Sequence, residues 1–225
     1  MRMVCFFLAV LCPQVVSHGG IIYTNGDPFA DNGTHYSKSD TVPRSQIGAD
    51  NFVISSNATI DSVRWWGSWN FFNSPNDNFT VNFYGDNGGL PDPSNLISSQ
   101  SIGNAMETST GLTRSFFTLV EFQSNITPVS LTAGTDYWIS IFDTAGTNDG
   151  QYFIWRETAV GAAASSTNDG FSWGGRPLEL AFQFEGNITA VPEPSTFFLF
   201  IIVGSCAAAT SAFRRRRSTA SLREG

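Results

Sequence analysis

The sequence predicts an all-β chain: an antiparallel β-sandwich, jelly-roll-like, followed by a single C-terminal transmembrane helix. Three observations carry that expectation. Apolar and polar residues alternate with period two in one short segment after another of residues 18–190. No 3.6-residue period persists for three turns anywhere in that stretch. The chain holds 21 Gly, 10 Pro and 14% aromatic residues, the composition of a folded protein with many turns rather than of a disordered one. At 225 residues there is room for one sizeable domain.

The first element is an export signal. Arg2 supplies a positive start, Val4 to Leu11 a short apolar run, and Pro13 a helix breaker, with cleavage expected between Ser17 and His18. Eight apolar residues are too few to span a bilayer, which takes about 20. Residues 1–17 therefore read as a secretory signal peptide and 18–190 as the exported body. The body carries 17 acids and six bases and no cysteine, since Cys5, Cys12 and Cys206 all lie in the two apolar segments. Disulfides, thiolate metal sites and a cysteine nucleophile are thereby excluded from it. Its acidity also excludes nucleic acid as a partner.

The strands follow in order, each bounded by Gly, Asn, Asp, Ser or Pro: Phe52 to Ile54, Thr59 to Trp66, Phe79 to Tyr84, Leu96 to Ile102, Ser115 to Phe122, Tyr137 to Phe142, Tyr152 to Glu157 and Leu178 to Glu185. About eight such strands suit a sandwich better than a barrel. Alternation sends Trp65 and Trp66 to opposite faces, so at most one of the two is expected in the core. Trp69 and Trp173 fall in Gly/Ser-rich stretches and are the expected exposed indoles, on which a sugar ring can stack. The competing expectation is that these rings plug the ends of the sandwich.

Other chemistry finds less support in the pattern. A Ser-His-acid site would have to use His35, a lone histidine in the Gly-Thr-His-Tyr loop, and there is no H-E-x-x-H and no C-x-x-C, so triad hydrolysis and zinc find little support and no catalytic or metal-ligating residue is named. A glycosidase needs only two suitably spaced carboxyls, but Asp61, Asp86, Asp92, Asp136, Asp143 and Asp149 stand mainly at turns and strand edges, where Asp accepts backbone hydrogen bonds. A structural calcium ion would find hard oxygen ligands in Asn73 to Asn78, Asp86-Asn87 and Asp143 to Asp149; the alternative is that these too are plain turns. Sequons at Asn32, Asn57, Asn78, Asn125 and Asn187 would carry glycans in a host able to add them.

The last element begins at Val191-Pro192-Glu193-Pro194. Ser195 to Phe213 follows as 19 uncharged residues, roughly 28 Å as a helix, which matches the hydrocarbon thickness. Arg214, Arg215, Arg216 and Arg217 come next and hold the C-terminus, with the tail 218–225, on the cytoplasmic side. The two prolines keep the helix from running back into the body. Pro-Glu-Pro, apolar helix and Arg cluster in that order, over residues 191–217, resemble the PEP-CTERM sorting signal of bacterial exported proteins. That resemblance implies an exosortase-type processing enzyme as partner and Pro192, Glu193 and Pro194 as its recognition motif. It further implies delivery from the inner membrane to the cell surface or the exopolysaccharide matrix.

The order Ile60 to Gly67, Phe79 to Pro91 and Leu131 to Ile141 also resembles ectodomains attached to such anchors, which implies a sandwich at the surface with no activity attached. A structural or adhesive role in biofilm or exopolysaccharide is the function expected on these grounds. A carbohydrate-binding module using exposed Trp is the first alternative, and a glycoside hydrolase the second.

Overall fold

The computed structural model describes residues 19–26, 29, 36–38, 46–69, 77–114, 117–145, 152–158, 162–166 and 170–189. These lie within a compact unit that ends at Thr189. The expected signal peptide with Ser17 and His18, the Pro192–Pro194 motif, the 195–213 helix and Arg214 to Arg217 lie outside the described residues. Among the described residues there are thirteen strands and no helix: β1 (Gly20–Asn25), β2 (Tyr36–Lys38), β3 (Ile47–Val53), β4 (Ala58–Trp69), β5 (Phe79–Asp86), β6 (Pro91–Gly103), β7 (Met106–Arg114), β8 (Phe117–Leu131), β9 (Asp136–Asp143), β10 (Phe153–Arg156), β11 (Ala163–Ser166), β12 (Gly174–Arg176) and β13 (Phe182–Ile188).

Every pairing is antiparallel, in two sheets. The first is centred on β4. Along one edge of β4 run β13, with β1 outside it, and then β10, with β2 outside it; along the other edge runs β8, with β7 outside it. The second sheet has the order β12–β11–β3–β9–β5–β6.

Period-two alternation builds the core between them. Phe79, Val81 and Phe83 on β5, Ile139 and Ile141 on β9, and Phe182 and Phe184 on β13 all point inward and are fully buried. Aromatic rings bridge the two sheets: Trp65 meets Phe79 edge-on at 5.1 Å, and Phe52 meets Phe184 at 4.7 Å. Within the first sheet Trp65 lies parallel to Phe122, with ring centroids 5.6 Å apart and planes 11° apart. Such pairs add to the area term that dominates core stability.

One strand breaks its own alternation, and the reason is local. On β4 the inward residues are Ala58 and Ile60, then Val63 and Trp65, so the phase slips by one at Asp61. The partners slip with it, because Ser62 pairs Glu185 while Ile60 pairs Gly186, leaving Asp61 bulged. Glycine is required opposite the bulge. A Cβ on Gly186 would sit 2.1 Å from the Thr59 carbonyl oxygen, an approach that no side chain survives.

Strands the alternation does not announce are polar or small. β7 reads Met-Glu-Thr-Ser-Thr-Gly-Leu-Thr-Arg and β11 reads Ala-Ala-Ser-Ser, compositions shared with turns, and their pairing to β8 and β3 is what makes them strands.

Candidate functional site

The structure corrects the expectation for Trp69. It is the last residue of β4, only 4% exposed, and it is packed among Phe79, Phe122 and Phe153 at 5.7–6.2 Å. The strand runs on past Gly67 and Ser68 and carries the ring inward, so Trp69 plugs the sandwich and offers no face to a sugar. Trp65 and Trp66 do point to opposite faces, yet both are buried. Trp66 is covered on the outer face of the first sheet by Leu119 and Ala181, with Leu112 of β7 and Phe29 beside it.

Trp173 is half-buried, and what it covers defines the candidate site. It lies over the outer face of the second sheet, against Ala49, Tyr84, Trp138 and Ala164, with its ring edge-on to Tyr84 at 5.9 Å. The segment that carries it starts at Gly170, whose φ of 88° favours glycine and whose N–H donates to Ser166 Oγ at 2.9 Å. A Cβ on Gly170 would meet Ile47 at 3.2 Å and the Tyr84 hydroxyl at 3.7 Å, so the chain here rests directly on the sheet.

The register of the sheet fixes what lies beneath. Ala164 pairs Ala49, Ala49 pairs Ser140, and Ser140 pairs Asn82, which puts four small or polar side chains in one row across β11, β3, β9 and β5. The row continues to exposed Ser99 on β6. Trp138 and Tyr84 pair with each other in the next row and form one wall. The Trp138 indole donates to Asp86 Oδ1 at 2.7 Å, and the same carboxylate accepts the Gly89 N–H, so the ring is held by a turn. Burial pushes the Tyr84 phenol above its ordinary pKa, and its oxygen accepts from Asn82 Nδ2 at 2.8 Å. Sequence reasoning missed Asn82, Tyr84 and Ser140. Alternation does place them opposite the core, but a face opposite the core reads as wet until something is seen to cover it.

The acids divide by environment. Asp92, near the start of β6, accepts the Ser94 N–H, and Asp143 Oδ1, at the end of β9, accepts the N–H groups of Asn78 and Ala145, the backbone-accepting role expected of acids at strand edges. Among the described residues no group of three His, Cys, Asp or Glu side chains is placed to hold a metal ion. Two further acids are buried, Asp77 of the stretch read as a calcium loop and Asp50, which the sequence did not single out. Asp50 lies in the core and accepts from Asn25 Nδ2 and Leu180 N–H, both at 2.6 Å, and from Asn51 N–H at 2.9 Å. Asp77, 6% exposed, is in hydrogen-bonding contact with the Glu107 carboxyl, and its carboxyl is pushed up to about 8 by burial, by that contact, and by the charges of Glu107 and Asp143. Two carboxyls in contact share a proton, whereas glycoside hydrolysis needs a pair set about 5 Å apart or more, flanking the bond.

A pH dependence follows from Asp77. Its folded pKa lies above the unfolded value of about 3.9, so the folded state keeps a proton that the unfolded chain has released. The associated stability is complete below that unfolded value and is lost as pH rises through about 8. The melting temperature should therefore rise as pH is lowered from about 8 to about 5, and the Asp77→Asn variant should show a flatter profile over that window. Differential scanning calorimetry in steps of pH checks this, and equal slopes in the two proteins would contradict it.

The family relationship can now be stated, because it spans the body just described. Residues 22–194 match a family described as a domain of unknown function (DUF7901). The chain belongs to the DUF7901 family. The DUF7901 match begins inside β1, takes in both sheets and ends at Pro194. No curated protein and no solved structure matches the chain.

Proposed function

We propose that this is an exported structural or adhesive protein of the cell surface or its polysaccharide matrix, with residues 18–190 as the exported body. Residues 1–17 direct it across the membrane. Residues 195–213 and Arg214 to Arg217 arrest it there, with the C-terminus cytoplasmic. Pro192, Glu193 and Pro194 present it to an exosortase-type enzyme that frees the body from the helix.

The observation that carries this is the order of three parts within residues 191–217: Pro-Glu-Pro, an uncharged run of helix length, and four consecutive arginines. A stop-transfer helix alone would account for the last two and not for the first. The family match ending at Pro194 supports placing the processed end there. The body suits the setting, being acidic and cysteine-free, with both sheets joined by one aromatic core. A jelly-roll topology is supported by the strand order β1–β13–β4–β8 in one layer and β3–β9–β5–β6 in the other, the remaining strands extending these two layers.

Intact-mass measurement of the native protein, in membrane and released fractions, tests the sorting. The expected released species starts near His18 and ends near Pro194, and a variant with Pro192, Glu193 and Pro194 all replaced by alanine should stay full-length in the membrane. A C-terminus at Gly225 in both proteins would make the helix a permanent anchor and overturn the processing step.

A further inference from the structure

One edge of the sandwich lacks the devices that keep strand edges from pairing with other chains. Among the described residues the outermost strands are β1, β2 and β7 in the first sheet and β12 and β6 in the second. β2 and β12 are three residues long, β1 slips register within its six residues, and β7 carries Glu107 and Arg114. Short, irregular or charged edges resist pairing. β6 differs. It runs for 13 residues, no charge falls between Asp92 and Glu107, and between its register shifts Ser98 to Ser101 pair with β5 without a slip. Leu96 and Ile97, next to that stretch, are 47% and 39% exposed. The Gln100 side chain ties the strand to the first sheet, donating to the Thr127 carbonyl at 2.9 Å and accepting the Thr127 N–H at 2.6 Å, so this edge is held extended.

We propose that β6 pairs antiparallel with β6 of a second copy of this chain, across a two-fold axis, so that their six-stranded sheets become continuous. Charge selects the partner. With 17 acids against six bases in residues 18–190, two copies repel over most of their surface, and like charges set opposite each other on paired strands cost stability. The β6 edge, uncharged from Pro93 to Met106, is where two such bodies meet without that cost. An antiparallel edge is also complementary to its own copy, because donors and acceptors exchange reciprocally between facing residues.

The pairing decides orientation as well. The chain leaves the body at Thr189, whose N–H donates to the Asn57 carbonyl at 2.8 Å. That is the end of the sandwich at which β6 begins, because Pro91 pairs Asp86, Gly85 pairs Tyr137, and Asp136 pairs Val53 shortly before Asn57. Reversing β6 in the second copy therefore sends its Thr189 to the opposite end. Two copies standing in one membrane cannot meet in this way; copies on facing surfaces can. The inference deepens the adhesive role and rests on it for the anchor, whereas the strand pairing itself does not depend on it.

The test is light scattering after size-exclusion chromatography of the full chain in detergent. The protein mass should be that of two chains well above roughly 10 µM, the affinity range of a small interface, and that of one chain on dilution. Ser99 and Ser101 are exposed on the outer face of the sheet, and an antiparallel copy sets the same residues opposite them. A variant carrying Ser99→Lys and Ser101→Lys should raise the dissociation constant about ten-fold through like charges on facing strands, with its melting temperature unchanged. Mixed with a variant carrying Ser99→Glu and Ser101→Glu, it should pair again. A wild type that stays monomeric, a lysine variant that pairs as well as wild type, or a mixture that does not pair would overturn the β6 interface. Phosphatidylcholine vesicles carrying the wild-type chain should clump, and those carrying the lysine variant should not; dimers in detergent without clumping would overturn the facing arrangement. A monomer that is nevertheless cut near Pro194 removes only the pairing, and a dimer that keeps Gly225 removes only the processing step.

Discussion

Replacing Asp50 with alanine should cost about 3 kcal/mol, because buried amide donors left without an acceptor cost about 1–3 kcal/mol each. The carboxylate ties three distant parts of the chain: Asn25 at the end of β1, its own strand β3, and the Leu180 amide leading into β13. It thereby joins the second sheet to the edge of the first. Without it the Leu180 N–H is left buried with no acceptor, while Asn25 Nδ2 retains only the Leu180 carbonyl at 3.1 Å. For a domain of this size the melting temperature should fall on the order of 10 °C.

The effect should depend on pH in a definite direction. Burial, and behind it the charge of Glu179, raise the Asp50 carboxyl well above its ordinary range, against the lowering effect of its three amide donors. A raised folded pKa stabilises most at low pH and is lost as the group ionises. The gap between wild type and Asp50→Ala should therefore be widest in acid and should narrow as pH rises. Asp50→Asn keeps one acceptor oxygen and cannot ionise, so it should lose less and flatten the profile. Thermal melts across pH on the three proteins decide it, and a gap that widens with pH would contradict the assignment.

Trp65→Ala should be comparably damaging, about 3–5 kcal/mol. The ring is fully buried between Phe122, stacked within the first sheet, and Phe79, which reaches it from the second. Its removal opens a cavity that the two phenylalanines, themselves held by Phe153 at 5.0–5.5 Å, have little freedom to fill. Trp66→Ala, one residue on, should cost less, because its neighbours on the outer face are Leu119, Ala181 and Leu112 rather than the main core. Urea denaturation of both variants with the slope unchanged would isolate stability from any change in the surface exposed on unfolding. Equal losses at the two positions would mean that the outer layer is as well packed as the core.

Much of the fold was legible because side-chain direction in a strand is a local property. Phe79-Thr-Val81-Asn-Phe83 and Leu180-Ala-Phe182-Gln-Phe184 fix an apolar face wherever those strands end up. β7 and β11 were not legible, since threonine, serine, alanine and glycine serve turns and covered strands alike. The Asp61 bulge was hidden for a related reason, because a slip of one residue shows only when Ile60 and Val63 are seen to face the same core.

The residues of the candidate site divide in the same way. The proposed targeting segments, residues 1–17 and 191–217, rest on patterns local to the chain and so are proposed from sequence alone, while the acidity and lack of cysteine of residues 18–190 are plain in it. Trp69 and Trp173 looked alike there, each an indole beside Gly and Ser. Tertiary structure separated them, by extending β4 far enough to turn Trp69 inward and by laying the chain after Gly170 across the outer face of the second sheet. It alone also decided that Asp50 would meet Asn25 and Leu180, and that the Ser140 hydroxyl and the Asn82 carbonyl oxygen would be buried side by side without partners. Alternation determines which way a side chain points; what stands opposite it is set by contacts between residues far apart in sequence, which no local pattern encodes.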